Sequence, residues 1–453
     1  MPTIDLKIVN CKIADGFRIY DADLLIEEEK ISAIVKDSTY IKADNVLDAK
    51  HNLVIPGVID VHVHFWDPGY THREDWKTGT ASAAAGGVTT VIDMPSTSSP
   101  LTITEEAFKL KKEIADKKAV IDFSIHGGVT PDTLSEIPKI ARLGAAAFKM
   151  FMHEDIRGFK KVNTKVMYQA FKIISQLSHT AIVHAEDPIV TVIKEEFIKE
   201  GRRDPESHCL SRPSFAEEMA IFTATTLALQ LGTHLHVAHL TSRKGLRVAM
   251  LAKEMSSRIT TETCPHYLIF TMDDMKRLGP FLKINPPLRA KEDKEALWRA
   301  LALGNIDIVA TDHCPYPKRE KETGWKDIWT VGSGIPGVET LLPLMFYEGY
   351  VKGRISLNRL IDALCKKPAK IFGIDYRKGG IAIGLDADLV IIDHRKEFTI
   401  KSEKMHTKAD FTPYEGMKVK GYPRITIVRG KIIAEEGQII AKEGYGEFIE
   451  RKR

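Results

Sequence analysis

Two histidines separated by one residue form the first pattern in the sequence that could do chemistry. They are His62 and His64, which end the apolar run Val58–Val63 in the order Asp-Val-His-Val-His. Side chains at positions i and i+2 of a strand share a face, so the two imidazoles would converge as half of a metal site. The same spacing also fits a histidine pair that is exposed or hydrogen-bonded within a core.

Three further apolar runs end in side chains that can bind metals. They are residues 181–183 followed by His184, 235–238 followed by His239, and 306–310 followed by Asp312. A solvated loop residue would explain each one alone. If the runs are neighbouring parallel strands, however, four histidines and an aspartate on one rim are improbable by chance. His236 competes with His239, but the two differ in strand parity. Only one is expected to point inward, and the residue at the strand end is favoured.

Lys149 lies in the apolar segment Ala-Ala-Ala-Phe-Lys-Met-Phe-Met. An ammonium buried in an apolar strand is desolvated and tends to lose its proton. A neutral amine of this kind can react with carbon dioxide to give a carbamate, an anionic bidentate ligand able to bridge two cations. A lysine paired with an acidic side chain at the rim is an equally good interpretation.

The elements that would position these side chains follow from the apolar periodicity. Between residues 56 and 370, short apolar runs alternate with segments long enough for helices, which is typical of an α/β protein built as a (β/α)8 TIM barrel. The strand-like runs are 58–63, 89–93, 119–125, 145–151, 181–183, 234–240, 258–261 and 306–310. The clearest helical segments are 81–85, 104–118, 163–177, 188–199, 215–231 and 244–255. Reactive side chains lie at the carboxyl ends of the strands in such barrels.

The two ends of the chain have a different pattern. Residues 1–55 and 371–453 contain short strand-like runs separated by polar turns and glycines. We predict that both ends build one small β domain beside a barrel of residues 56–370.

Composition narrows the class of protein. The chain has 453 residues, 65 Lys+Arg against 61 Asp+Glu, and 43% apolar residues, which excludes a disordered chain or a small disulfide-stapled module. The net charge of +4 is small and spread along the chain, so neither nucleic acid nor a membrane surface is a favoured partner. Five cysteines without a CxxC motif, and no signal-peptide or membrane-span pattern, predict a cytoplasmic protein.

An ordered series of motifs resembles one known family. The segment PGVIDVHVHF is followed by GTASAAAGGVTTVIDMPS, FKMFM, VHAEDP, LSRPSFAEEMAI, VAHLTS, TETCPHYL, NPPLR, ATDHCPYP and TPYEG. The series is similar to that of the cyclic amidohydrolases, which include dihydroorotases, allantoinases, hydantoinases and dihydropyrimidinases. The resemblance covers nearly the whole chain. It implies that the strands of the two termini form a β-sandwich beside the barrel.

The resemblance also implies a role for each candidate. His62 and His64 would hold one divalent metal ion, and His184 and His239 a second. Lys149, as its carbamate, would bridge the two ions, for which zinc is expected. Asp312 would bind the first ion and carry the proton while a hydroxide shared by the ions opens a cyclic amide. The family further implies a homo-oligomer, either a dimer or a tetramer.

Three positions bear on the substrate. Dihydroorotases hold a substrate carboxylate with Arg, Asn and His at positions occupied here by Trp66, Ser96 and Tyr316. We therefore expect a small neutral substrate, unless Arg73 or Arg243 supplies another cation. Ser96 and Asn285 would bind a neutral imide, whereas Trp66 could contact substrate or only pack.

The motifs rank the possible substrates. Hydantoinases and dihydropyrimidinases carry a Tyr five residues after the bridging lysine, where this chain has Glu154. The remaining motifs look most like allantoinases, so hydrolysis of allantoin to allantoate is expected first. A related hydantoin comes next, followed by a dihydropyrimidine and dihydroorotate. A non-enzymatic relative is disfavoured because all six ligand positions are retained.

Overall fold

The computed structural model describes residues 4–452. The predicted β domain also included residues 1–3 and 453, which lie outside the described residues. In that part of the chain the strands, numbered in order, are β1 Ile4–Ala14, β2 Ile19–Glu27, β3 Lys30–Val35, β4 Ala43–Asp48, β5 Leu53–Pro56, β6 Val58–Val63, β7 Val88–Asp93, β8 Asp122–Ile125, β9 Gly127–Gly128, β10 Phe148–Phe151, β11 Thr180–His184, β12 His234–Val237, β13 Ile259–Thr263, β14 Ile308–Val309, β15 Leu389–Thr399, β16 Lys418–Val428, β17 Lys431–Glu435 and β18 Gln438–Ile439.

The α-helices of the same residues are α1 Trp76–Ala85, α2 Glu105–Lys118, α3 Ile137–Arg142, α4 Thr164–Gln176, α5 Ile189–Lys199, α6 Pro205–Leu210, α7 Ser214–Leu231, α8 Arg243–Met255, α9 Pro265–Ile269, α10 Met275–Leu278, α11 Lys291–Ala302, α12 Lys318–Glu322, α13 Leu341–Leu344, α14 Leu357–Ile361 and α15 Lys367–Ile371. Two π-helical segments, Met345–Val351 and Asp362–Lys366, continue α13 and α14.

Parallel strands β6 to β14 form the barrel. One sheet has the order β6-β7-β8 and the other β9 to β14, and the chain passes directly from β8 to β9. The ring closes where the amide of His64 donates to the carbonyl of His313 at 2.7 Å. Most strand residues are fully buried, since helices cover one face and the barrel interior the other. The predicted barrel is confirmed, and each of the eight predicted runs overlaps one of its strands.

Several barrel helices begin at a polar cap that the sequence supplies. The side chains of Thr104, Asn163 and Ser242 accept hydrogen bonds from backbone amides in the first turns of α2, α4 and α8. Such caps satisfy amides that have no partner within the helix. Within residues 4–452, no helix combines the length and the apolar character needed to cross a bilayer.

Strands from both ends of the chain form one nine-stranded sheet. β5 pairs antiparallel with β15, with Val54 opposite Ile391, and thereby joins the N-terminal strands to the C-terminal ones. Alternating apolar residues of these strands pack into a core of their own. The predicted β-sandwich domain is thus confirmed as the second part of an α/β fold. The proposed division at residues 55 and 370 stays a prediction.

The last described residues return to the barrel. The amide of Ile449 donates to the carbonyl of Phe123 at 2.7 Å, and the Ile449 side chain is fully buried. The C-terminal segment therefore packs against β8 instead of extending the sheet.

A buried ionic cluster connects the barrel to the sheet. Lys378 Nζ lies 2.9 Å from a carboxylate oxygen of Asp386, 2.8 Å from one of Asp388, and also contacts Asp122 at the start of β8. Arg429 of the β16–β17 turn binds Asp122 at 3.2 Å. All of these side chains are buried, and the nearby carboxylates raise the pKa of Lys378 although burial alone would lower it.

Replacing Lys378 by Met should destabilise the protein strongly. Three buried carboxylates would lose their main counter-charge, and breaking a buried ion pair costs about 3–5 kcal/mol. The midpoint of thermal unfolding should fall by several degrees. Lys352→Met removes a half-exposed lysine paired with Glu348 and serves as the matched control. Equal midpoints for the two variants would contradict a supporting role for Lys378.

Candidate metal and catalytic site

One cavity at the carboxyl end of the barrel contains the predicted residues. It has a volume of about 460 Å³, within the range of small-molecule sites. Its lining includes all six candidate ligands and all four candidate substrate contacts: His62, His64, Lys149, His184, His239, Asp312, Trp66, Ser96, Asn285 and Tyr316. The structure therefore brings together every site residue that the sequence predicted.

His62, His64 and Asp312 form a compact group. Asp312 Oδ1 lies 3.2 Å from His62 Nε2 and 3.0 Å from His64 Nε2. Burial favours the protonated acid, but the two imidazoles hold the pKa of Asp312 well below its usual value. One carboxylate oxygen between two imidazole nitrogens is a suitable set of donors for a divalent metal ion.

His184 and His239 lie beside this group. Their ring centroids are 4.4 Å apart, and the His239 centroid is 5.3 Å from that of His62. His239 and Asp312 both adopt left-handed backbone conformations, with φ of 36° and 50°. Such conformations are uncommon for residues other than glycine and are concentrated at functional sites.

Lys149 Nζ is fully buried and has no hydrogen-bond partner among the described residues. Burial lowers the pKa of this amine to about 8, although Glu262 and Asp312 act in the opposite direction. The alternative prediction, that Lys149 forms an ion pair with an acidic side chain at the rim, is therefore wrong. An unpartnered amine surrounded by candidate metal ligands is suited to conversion into an anionic ligand.

Glu262 on β13 orients the first histidine. Its carboxylate contacts His62 Nδ1, accepts from the amide of His239 at 3.2 Å, and lies 3.1 Å from His236 Nε2. His236 is buried and reaches this interior carboxylate, so the expectation that only one of His236 and His239 points inward is wrong. β12 ends at Val237 and His239 has a positive φ, and strand alternation therefore does not extend to His239.

Glu186 plays the same part for His184. Glu186 Oε2 lies 2.7 Å from His184 Nε2, which leaves Nδ1 of that ring free to bind a metal. Arg212 holds Glu186 through its Nε at 2.9 Å and through Nη2, so a positive charge already neutralises this acid. His153 stacks on His184 with centroids 4.4 Å apart, and Glu154 lies 3.4 Å from Arg212 Nη1. A carboxylate held in this way accepts hydrogen bonds and does not replace the tyrosine donor expected in hydantoinases.

Two aromatic rings and Arg157 form one wall of the cavity. Trp66 is 1% exposed, donates from Nε1 to the carbonyl of Pro315 at 3.0 Å, and packs edge-on against Tyr316. Arg157 covers the Trp66 ring at 4.4 Å and donates to the Tyr316 hydroxyl at 3.2 Å. Arg73 pairs with Glu320 at 2.7 Å and is not part of the cavity lining.

The other cation considered from the sequence is also elsewhere. Arg243 is an exposed residue at the start of α8 and does not line the cavity. Besides Lys149, which the sequence predicted, the cavity lining contains two cationic side chains that the sequence analysis missed, Arg157 and Lys194. Only the fold shows that these two side chains reach the cavity, because their spacing in the sequence does not distinguish them from other charged surface residues.

Two buried lysines hold a loop that lines the cavity next to Tyr316. Lys283 Nζ donates to the carbonyls of Ile328 and Val331 at 2.7 and 2.6 Å. Lys321 Nζ donates to the carbonyls of Gly332 and Gly334 at 3.0 and 2.9 Å. The loop that lines the cavity from Trp329 to Gly334 is therefore held by charged donors bound to its own backbone.

Glu262 is the supporting residue that the sequence came nearest to revealing. Glu262 directly follows the predicted run of residues 258–261, and the observed strand β13 extends to Thr263 and includes it. The segment around it is Thr-Thr-Glu-Thr, which is polar for a barrel strand. A charged side chain in a buried strand needs partners. The sequence could not show that its partners are His62 and His236.

Glu262→Gln should weaken binding of divalent metal at the His62 position. An amide is a poorer acceptor for the ring N–H than a carboxylate, and loss of such a supporting group typically costs 10–100-fold in metal affinity. Competition with a chelator measures the change. Glu348→Gln, which alters a buried acid paired with Lys352 on a distant helix, is the control. Unchanged affinity in Glu262→Gln would contradict the orienting role.

Comparison with known proteins gives the family. The model of the amidohydrolase family matches residues 53–433. A dihydroorotase of Methanosarcina acetivorans is 38% identical, with 98% of this chain and 95% of that protein covered. An allantoinase of Solibacter usitatus is 35% identical, with coverages of 96% and 94%. The solved structure of an L-hydantoinase (dihydropyrimidinase) from Arthrobacter aurescens superposes with a TM-score of 0.97 at 36% identity, covering 99% of this chain and 100% of that one.

These similarities correct one expectation. The motifs placed the chain nearest to allantoinases, but the L-hydantoinase matches more of the chain, and at slightly higher identity, than the allantoinase does. The branch cannot be assigned from motifs near the metal ligands, because those residues are common to enzymes acting on different rings. All of these matches are cyclic amidohydrolases. The chain therefore belongs to the amidohydrolase family, among its cyclic amidohydrolases.

Proposed function

We propose that this protein hydrolyses a ring amide of a neutral five-membered cyclic substrate of the hydantoin class. Allantoin, a hydantoin with a ureido substituent, is the first candidate, and its product would be allantoate. The observation that carries the proposal is the convergence of six candidate ligands in the lining of one cavity of about 460 Å³.

The residues present fit two divalent metal ions. His62 and His64 would hold the first together with Asp312, and His184 and His239 would hold the second. Lys149, whose buried amine has no partner among the described residues, would bridge them as a carbamate. Imidazole and carboxylate donors suit zinc. Such ions, when bound, polarise a carbonyl group and lower the pKa of water to about 7.

Asp312 would move the proton. Its low pKa keeps it ionised, so it can accept the proton of the attacking water. The same carboxyl group can then return that proton to the ring nitrogen as the amide bond breaks. His62 Nε2 and His64 Nε2 lie 3.2 and 3.0 Å from its Oδ1, so an ion held by these nitrogens would also hold the carboxylate.

The cavity wall supports a neutral substrate. Lys194 lies 3.5 Å from Glu154, which pairs its charge, and Arg157 is held by the uncharged side chains of Trp66 and Tyr316. Asn285 Oδ1 is buried and unpaired among the described residues, and Ser96 also lines the cavity. Such neutral groups can bind the imide N–H and the carbonyl groups of a hydantoin ring.

Turnover of four rings tests the substrate class. We expect kcat/KM to be highest for allantoin or hydantoin, lower for dihydrouracil, and at least about 100-fold lower for dihydroorotate. Each missing charge-assisted bond to the carboxylate of dihydroorotate costs about 1.5–3 kcal/mol, or at least roughly tenfold. Preference for dihydroorotate would contradict the proposal of a neutral substrate. Equal inactivity of the metal-loaded protein on all four rings would contradict the proposed function.

Lys149→Ala tests the proposed bridge. We expect the bound metal to fall from two ions per chain to one or fewer, because the bridging ligand is lost. Activity should fall by more than the roughly 10–100-fold typical of supporting residues. In ¹³C-bicarbonate, the wild type should show a carbamate NMR signal that this variant lacks. Lys112→Ala, which removes a lysine from the exposed face of α2, is the control. Two bound ions and full turnover in Lys149→Ala would contradict the bridge.

A further inference from the structure

Lys321 is a fully buried lysine whose amine binds backbone carbonyls. It lies on α12, and its Nζ donates to the carbonyls of Lys283, Gly332 and Gly334 at 3.2, 3.0 and 2.9 Å. Burial and the nearby Lys283 lower the pKa of Lys321, but three carbonyl oxygens match the three N–H bonds of its protonated form. The amine is therefore committed to fixing the backbone of residues 332–334.

Two glycines allow this backbone to pack closely against the cavity wall. A Cβ atom at Gly332 would overlap the ring of Tyr316, and a Cβ atom at Gly334 would overlap the carbonyl oxygen of Cys314. Gly334 also has a φ of 149°, which side chains rarely allow. The segment is thus fixed by close packing as well as by its contacts with Lys321.

This arrangement leaves the amide of Ser333 free to bind a ligand. Ser333 lines the cavity at the carboxyl end of the barrel, whereas Lys321 does not. In a trans peptide group the N–H points opposite to the C=O. Because the carbonyl of Gly332 faces Lys321, the N–H of Ser333 points away from Lys321. This N–H has no hydrogen-bond partner among the described residues.

The contact with Lys321 also strengthens this donor. Hydrogen bonds that follow one another in a chain polarise each other, and a charged donor acts more strongly than a neutral one. Nζ of Lys321 on the carbonyl of Gly332 therefore makes the Ser333 N–H a better donor than an ordinary amide. Lys283 supports the same segment, because its carbonyl accepts from the amide of Gly334 at 2.9 Å.

We propose that Lys321 is a positioning residue for the substrate: it orients and polarises the Ser333 N–H, which donates to a ring carbonyl of the cyclic amide. This inference rests on the proposed function. A hydantoin ring has two carbonyl groups, and the one that is attacked must face the six candidate ligands. The acceptor for Ser333 is therefore the other carbonyl, C2, which lies between the two ring nitrogens.

Kinetics of the metal-loaded full chain on hydantoin and 2-thiohydantoin test this contact. Sulfur is a weaker acceptor than oxygen, so the wild type should prefer hydantoin by roughly tenfold or more in kcat/KM, after correction for the rates of the two rings in alkali. Lys321→Met replaces the amine by an apolar side chain. It should raise KM for hydantoin by roughly tenfold with little change in kcat, and reduce the preference for hydantoin to about threefold or less.

Lys7→Met is the matched control. Lys7 is also a buried lysine whose Nζ donates to two backbone carbonyls, those of Ser38 and Ile41 at 3.0 Å, but it lies on β1 of the β domain. This variant should keep the KM and the ring preference of the wild type.

Two outcomes would overturn the role of Lys321. One is an unchanged KM together with an unchanged ring preference in Lys321→Met. The other is a wild type that hydrolyses both rings equally well, a result that decides the matter even if Lys321→Met fails to fold. Hydrolysis of hydantoin without any preference over 2-thiohydantoin contradicts this inference alone. A metal-loaded wild type that hydrolyses no ring contradicts the proposed function, and this inference with it.

Discussion

The segments that follow β14 and β6 meet through the hydrogen bond from the His64 amide to the His313 carbonyl, 2.7 Å long, and the geometry of the site depends on that contact. Asp60 strengthens the junction by accepting from the amide of Thr311 at 3.1 Å and from its hydroxyl group. Together these bonds place Asp312 beside His62 and His64. Asp312 comes from the end of the barrel sequence and the two histidines from its start, so Asp312 Oδ1 can contact both imidazoles only because the barrel closes.

Buried charge is handled in two ways in this molecule. At the junction with the β sheet, Lys378 and Arg429 compensate several carboxylates and join the barrel to the sheet. At the cavity, Glu262 orients His62, and Arg212 balances Glu186 beside His184. Lys149 differs from all of these, because its amine is buried without a hydrogen-bond partner in the described chain. A buried charge without a partner is costly, which makes this lysine the position most suited to chemical modification.

Much of the fold follows from short-range patterns. Apolar runs such as 58–63 and 181–183 predict buried parallel strands, and the structure places strands there, because strands covered on both faces must be apolar throughout. β4 lacks that signal, since Ala43–Asp48 is a largely exposed strand that pairs with β1. His236 was misjudged because alternation holds only within a strand, and β12 ends before His239.

The sequence by itself determined which side chains stand at the strand ends and which of them belong together. Its reason is local geometry: a strand repeats every two residues, and parallel strands present their carboxyl ends on one rim. Only the tertiary structure decided what surrounds those side chains: the carboxylate of Glu262 on His62, the guanidinium of Arg157 over Trp66, and the carbonyls around Lys321. These contacts join segments far apart in the chain, and they depend on how the loops and strands close in three dimensions, which no local spacing encodes.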